Sequence, residues 1–318
     1  MTSADLSSGD MLRELHYALA ETDAETPSSE LRDRVMAAAL LARRPGQSAH
    51  PAERISGVEV FRQAVDRMDH LLGEFGPEEW SRPALRGLDV QGLIGHLIGV
   101  EDEFIASLER PAGSPDGSDH IASTQPTALA QGERSTDRTH QDWSKRTSQA
   151  LALLDRRDDL TVPVTWFGIT LPLDQLLVIR AFEMWIHEED IRRANGRLLR
   201  APEPAALARM ADLAVGLLPA GMANIGFTRP NLMVRLVLTG PGGGTWDVVL
   251  DGPVSLPPPP PAPSGTHPPA AARLVVDTAA FCRVVANRDD LAGSGAIIDG
   301  DLSVAAELCR GAATLALD

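Results

Sequence analysis

The 318-residue chain sets 29 Lys and Arg against 44 Asp and Glu, for a formal charge of -15, and holds 43% hydrophobic but only 4% aromatic residues. That apolar content excludes a disordered chain, the negative charge argues against nucleic acid and anionic lipid as partners, and the scarcity of rings argues against a stacking platform for single strands. Two cysteines without CxxC spacing, Cys282 and Cys309, read as reduced thiols packed as small hydrophobes.

Residues 1–50 read as a helical extension. Met11–Leu15 suits a short helix, and Thr26-Pro27 opens a second over Leu31 to Ala42, stopped at Pro45-Gly46. No charged and then apolar leader is evident, and no apolar run approaches the ~20 residues of a membrane helix, so the expectation is a cytoplasmic protein without a membrane span. From Ile55 the pattern strengthens. Val58, Phe61, Val65, Met68 and Leu72 recur at spacings of three and four, as one buried helical stripe requires, and Gly76-Pro77 ends it. A polar link through Trp80, Arg82 and Pro83 leads to Asp89, an N-cap for a helix from Val90 to about Leu108 with His96 in its middle turns.

Residues 111–138, rich in Gly, Ser, Pro, Asp and Thr, are expected to form a long loop. A third helix is expected from Trp143 to about Leu154, then a short hairpin around Gly168, then a fourth helix from Leu173 to Asn195-Gly196. Beyond Gly196 the texture changes. A helix over Glu203 to Leu218 precedes strands at Met233–Leu238, Trp246–Leu250, Ala272–Asp277 and Gly295–Asp299, with helices at Thr278–Asn287 and Leu302–Leu315. A proline-rich loop occupies 256–269. The expected architecture is α+β, with an extension at 1–50, a metal-binding four-helix bundle at 51–200 and a small mixed α/β domain at 201–318 with its own core.

Candidate chemistry sits in the fourth helix. Glu183 and His187 are four apart, so both can face one centre, as metal ligands do; a surface i,i+4 pair has the same spacing. A catalytic zinc needs about three protein ligands and an open position. His96, on or beside the apolar face of its own helix, is the best third ligand, although a satisfied core histidine fits that position too.

Trp80, then Leu88-Asp89-Val90-Gln-Gly-Leu-Ile-Gly-His96-Leu, and Arg180-Ala-Phe-Glu183-x-Trp185-Ile-His187-x-x-Asp190-Ile-Arg192 together resemble the mycothiol-dependent maleylpyruvate isomerase family of DinB-like metalloenzymes, over residues 55 to 318. The resemblance implies a bundle holding a divalent metal, with zinc the default, through His96, Glu183 and His187, and mycothiol as a cosubstrate whose thiol takes the open position. A cation on sulfur lowers a thiol pKa enough to keep thiolate at neutral pH. No protein cysteine is then needed for attack. The resemblance also implies a catalytic arginine from the C-terminal part that binds an anionic substrate, best matched by Arg288, while Asp190 is placed to orient His187 or to pair with Arg193. The extension, the 111–138 segment and the proline run lie outside the family core, which leaves the substrate open.

The leading expectation is a metal- and mycothiol-dependent enzyme that adds or transfers a low-molecular-weight thiol to a small electrophile, as an isomerase or S-transferase. Two alternatives stand beside it. One is a non-catalytic regulatory protein with a structural metal and a protein partner docked by residues 1–50; the other is a metal-dependent hydrolase using bound hydroxide.

Overall fold

The computed structural model describes residues 53–110, 119–256, 258 and 269–316, together with 31, 34, 35 and 39. Most of the helices expected in the first fifty residues and most of the proline-rich loop lie outside them; Leu31, Arg34, Val35 and Ala39, within the expected Leu31 to Ala42 helix, are helical and exposed. Residues 43–318 form one compact unit.

Local signals open most of the helices. In α1 (Gly57–Gly73), Ser56 caps the first turn and Asp174, from far along the chain, accepts from Gly57 N at 2.6 Å. After a one-turn α2 (Pro77–Trp80) comes a minimal hairpin of β1 (Pro83–Leu85) and β2 (Leu88–Asp89). Asp89 then caps α3 (Val90–Glu109) by accepting from Gly92 N at 2.7 Å. The expected 111–138 loop is corrected in part: α4 (His120–Gly132) opens under an Asp119 cap, and α5 (Thr136–Leu154) starts seven residues before Trp143. Pro126 inside α4 and the Ser and Thr content obscured a helix whose inner face, Thr124, Ala128 and Gln131, is polar and small.

The hairpin of β3 (Pro163–Trp166) and β4 (Ile169–Pro172) turns through Phe167 and Gly168, both at positive φ, and feeds α6 (Leu173–Ala194). Almost every side chain of α6 from Leu176 to Arg192 is buried, so it is the central helix, packed by α1 on one side. Helix α7 (Pro204–Asn224) continues past Pro219 and is, among the described residues, the one helix long and apolar enough by length and composition to cross a membrane, where the sequence led us to expect none. It packs against α6 and the later helices, with 67% of its most apolar window buried, so its apolarity is used in the core.

A four-stranded sheet follows, in the order β6 (Thr245–Val249), β5 (Met233–Thr239), β7 (Ala272–Asp277), β8 (Ile297–Gly300), with β5 and β7 parallel and the outer pairs antiparallel. Helices α8 (Thr278–Val285) and α9 (Leu302–Ala313) pack against α7 and the sheet. The fold is therefore α+β. One buried apolar cluster runs without a break from Val60 on α1 to Ala312 on α9, so bundle and sheet share a core.

Candidate metal centre

Helix α3 meets α4 at very close range, because two glycines face the seam. A Cβ on Gly95 would lie 2.8 Å from Ala128 Cα, and one on Gly99 would lie 3.1 Å from Thr124 Cα. The approach sets Thr124 Oγ1 2.8 Å from His96 Nδ1. That hydroxyl already donates to the His120 carbonyl at 2.8 Å, so it accepts from His96, and Nδ1 carries the imidazole proton. His96 Nε2 is left as a bare lone pair, buried and without a partner.

His187 repeats this arrangement on α6. Its Nδ1 lies 3.2 Å from Asp190 Oδ2, a carboxylate that can only accept, so Nδ1 carries a proton, and its Nε2 is the other buried nitrogen without a partner. Between the two stands Glu183, whose side chain is 8% exposed. One ligand atom from each of His96, Glu183 and His187 falls within 4.8 Å of the other two. Two buried imidazole Nε2 atoms without partners and a carboxylate oxygen form the donor set of a three-ligand divalent site, so these residues fit a metal such as zinc.

The electrostatics suit an ion. Burial pushes His96 down to about 4, only partly opposed by Glu183, so its ring is neutral at neutral pH. For Glu183, burial pulls upward, but Arg180 and His120 outweigh it and hold the carboxyl well below its usual range. Arg180 is fully buried, bridging Glu183 and the equally buried Glu101 with its guanidinium over the Trp166 ring at 5.3 Å. Burial raises Glu101 despite that bridge. One guanidinium thus serves two carboxyl groups.

Each expected ligand thus has an orienting partner, as metal ligands commonly do. Thr124 serves His96, Asp190 serves His187, and His120 donates from Nε2 to Glu183 Oε1 at 2.9 Å. Asp190 takes both of its expected roles, since it also accepts from Arg193. His120 was missed because it lies in the segment read as a loop, and its signal was the Asp119 cap in front of it. Arg180 stands in the quoted motif without an assigned role, and Glu101 is not singled out by the sequence.

Arg288, expected to meet an anionic substrate, donates from Nε and Nη2 to Asp190, both at 3.0 Å. Burial raises the Asp190 carboxyl, and the bonds from His187 and Arg288 outweigh that and lower it. The neighbouring Arg283 donates to Glu189 at 2.8 and 2.6 Å. Both cysteines are buried, and burial drives the Cys282 thiol upward and that of Cys309 to about 11, so neither is a ready thiolate.

A cavity of about 380 Å³ opens against Glu183 and His187, between α6, α7 and the ends of α8 and α9. Its walls include Phe182, Ile186, Leu213, Leu217 and Leu315.

Residues 61–192 match the family described as the mycothiol maleylpyruvate isomerase N-terminal domain. A crystal structure of a histidine-to-alanine mutant of the mycothiol-dependent maleylpyruvate isomerase aligns with a TM-score of 0.50 at 14% identity, over 77% of this chain and 93% of that one. A second structure of that isomerase gives 0.49 at 15% identity over the same shares, and the likeness of fold rests on the first. No curated protein matches the chain.

Proposed function

We propose that this chain, which belongs through residues 61–192 to the mycothiol maleylpyruvate isomerase family, is an enzyme that joins a low-molecular-weight thiol, mycothiol in that family, to a small electrophile at a divalent metal. The observation carrying this reading is the pair of buried, unpartnered Nε2 atoms of His96 and His187 aimed at Glu183 beside an open cavity. When bound, the ion supplies the positive charge that keeps a thiol ionised at neutral pH. Zinc is the default among the ions this donor set accepts.

The chain's own residues then have definite tasks. Thr124 and Asp190 fix the two ring tautomers, so that each imidazole presents a lone pair. Arg180 and His120 hold the Glu183 carboxylate ionised and in place. Arg288 acts through Asp190 on His187 as a positioning residue, and ties the C-terminal part to α6. The apolar walls of the cavity exclude water from the reacting carbon. The thiol adds or transfers; addition followed by expulsion gives isomerisation, and addition alone gives an S-conjugate. The two reduced, buried cysteines suit a cytoplasmic location.

The test is to purify the protein with its metal, incubate it with and without mycothiol against a panel of electrophiles, and follow S-conjugates or isomers by mass. Turnover that needs both metal and thiol, and that falls when His96, Glu183 or His187 becomes alanine, is the expected result. Turnover without thiol would replace this reading with hydrolysis. A second reading, a structural ion closed by a fourth ligand, draws on His120 standing 2.9 Å from Glu183. It requires that His120→Ala release the metal and that no electrophile be turned over.

A further inference from the structure

The cavity beside the triad has a chemistry of its own, and it bears on the substrate. Among its described lining residues the ionisable groups are Glu183 and His187, the two that face the metal position. The other polar residues, Asn224 and Thr314, are hydrogen-bonded to each other at 3.2 Å where Asn224 is exposed, at the mouth. No described lysine or arginine lines the space. The two arginines nearest in sequence to its α8 wall, Arg283 and Arg288, are bound to Glu189 and Asp190.

A dicarboxylate placed here would bring its charge into an apolar enclosure next to the Glu183 carboxylate. Burial of an uncompensated carboxylate is strongly unfavourable. A divalent centre held by two neutral imidazoles and one carboxylate retains a single positive charge, which a bound thiolate neutralises. Nothing then remains among the described lining residues to balance an anionic substrate.

We infer that the cavity takes an uncharged α,β-unsaturated carbonyl compound with a hydrocarbon body, its electrophilic carbon held against the Glu183 and His187 end. The inference rests on the thiol-adding function proposed above and names the substrate class of that same site. A volume of about 380 Å³ is in the range of ligand pockets. The hydrocarbon part packs on Phe182, Ile186, Leu213 and Leu217. In the reaction the sulfur forms one bond to the β-carbon, the C=C π pair moves toward the carbonyl oxygen, and the α-carbon takes up the proton given up by the thiol. Atoms and electrons balance without an oxidant. Reversal of the addition after rotation about the former double bond returns the thiol and an isomerised product.

The test reads binding in metal-free, thiol-free protein, by calorimetry with two probes: 4-phenyl-3-buten-2-one, which is uncharged, and maleate. The enone is expected to bind at least tenfold more tightly than maleate. Ala214→Trp and, independently, Ala220→Phe fill the cavity from α7 away from the metal ligands, and each is expected to weaken enone binding at least tenfold while metal content after reloading is unchanged. Should one variant fail to fold, the other decides. Maleate binding as tightly as the enone, or enone binding indifferent to a folded cavity-filling variant, overturns the inference. Loss of the thiol-dependent function would appear instead as triad variants that keep their metal or as turnover without thiol, and these outcomes leave the binding measurement untouched.

Discussion

Asp190 accepts from His187 Nδ1 at 3.2 Å on the same carboxylate that receives two donors of Arg288 at 3.0 Å. The imidazole that faces the metal position on α6 is therefore steered from α6 and, through Arg288, from the segment just after α8. Removing a hydrogen-bond partner behind a metal-ligating histidine costs roughly 10- to 100-fold in metal affinity. Asp190→Asn is expected to weaken zinc binding by about that range in a competitive chelator titration. Arg288→Met should weaken it less, because Arg193 still donates to Asp190 at 3.3 Å. An Arg288→Met effect larger than that of Asp190→Asn would show that Arg288 acts elsewhere.

The seam between α3 and α4 fixes the other histidine. A methyl on Gly95 would meet Ala128 Cα at 2.8 Å and Gln131 Cβ at 2.9 Å, so the helices must part. Overpacking of this kind costs about 1–3 kcal/mol, and it draws Thr124 away from His96. Gly95→Ala should lower the urea midpoint and also loosen metal binding. Gly132→Ala is the control, since a methyl there, at the end of α4, has nothing within 4 Å. Equal effects from both would mean that helix propensity, and not the seam, is being measured.

The sequence made the candidate ligands more legible than the side chains behind them. Glu183 and His187 stand out because a period of 3.6 puts them on one face, and His96 because an imidazole on an apolar stripe needs a partner. The capping aspartate at 89 and the period-two strands were equally readable. Helix α4 was not, because proline, serine and threonine carry loop propensity and its buried face is polar where it meets the site. Tertiary contact decided that segment. The same holds for Glu101 and Arg180, whose burial follows from each other's presence and from no local pattern.

That buried pair supplies a stability test. Arg180 and Glu101 are both 0% exposed, and Arg180 also serves Glu183. Removing one member of a buried ion pair leaves an uncompensated charge and costs about 3–5 kcal/mol. Arg180→Met is expected to destabilise the metal-free protein by roughly that amount in urea unfolding. Adding Glu101→Gln should return part of the loss, since one of the two stranded carboxylates is then gone. A double variant no more stable than the single would place the cost in lost packing on Trp166 instead.

Acid should act on the metal-free protein first through His96. Its ring is held at about 4 in the folded state against a usual 6.5, so between these values the unfolded chain binds a proton that the folded chain refuses. Stability from this group is therefore complete above pH 6.5 and lost as pH falls toward 4. Over the interval from 6.5 to 5 the loss is about 2 kcal/mol, at 1.36 kcal/mol for each pH unit. Glu183 and Asp190, both lowered, act in the same direction but below their ordinary carboxyl values of 4.5 and 3.8, outside that interval. Urea unfolding of chelator-treated protein at pH 7 and pH 5 measures the slope. His96→Gln, which cannot titrate, should flatten it, and zinc affinity of the parent protein should fall over the same interval as protons compete for Nε2. An unchanged slope in His96→Gln would assign the acid sensitivity to another group.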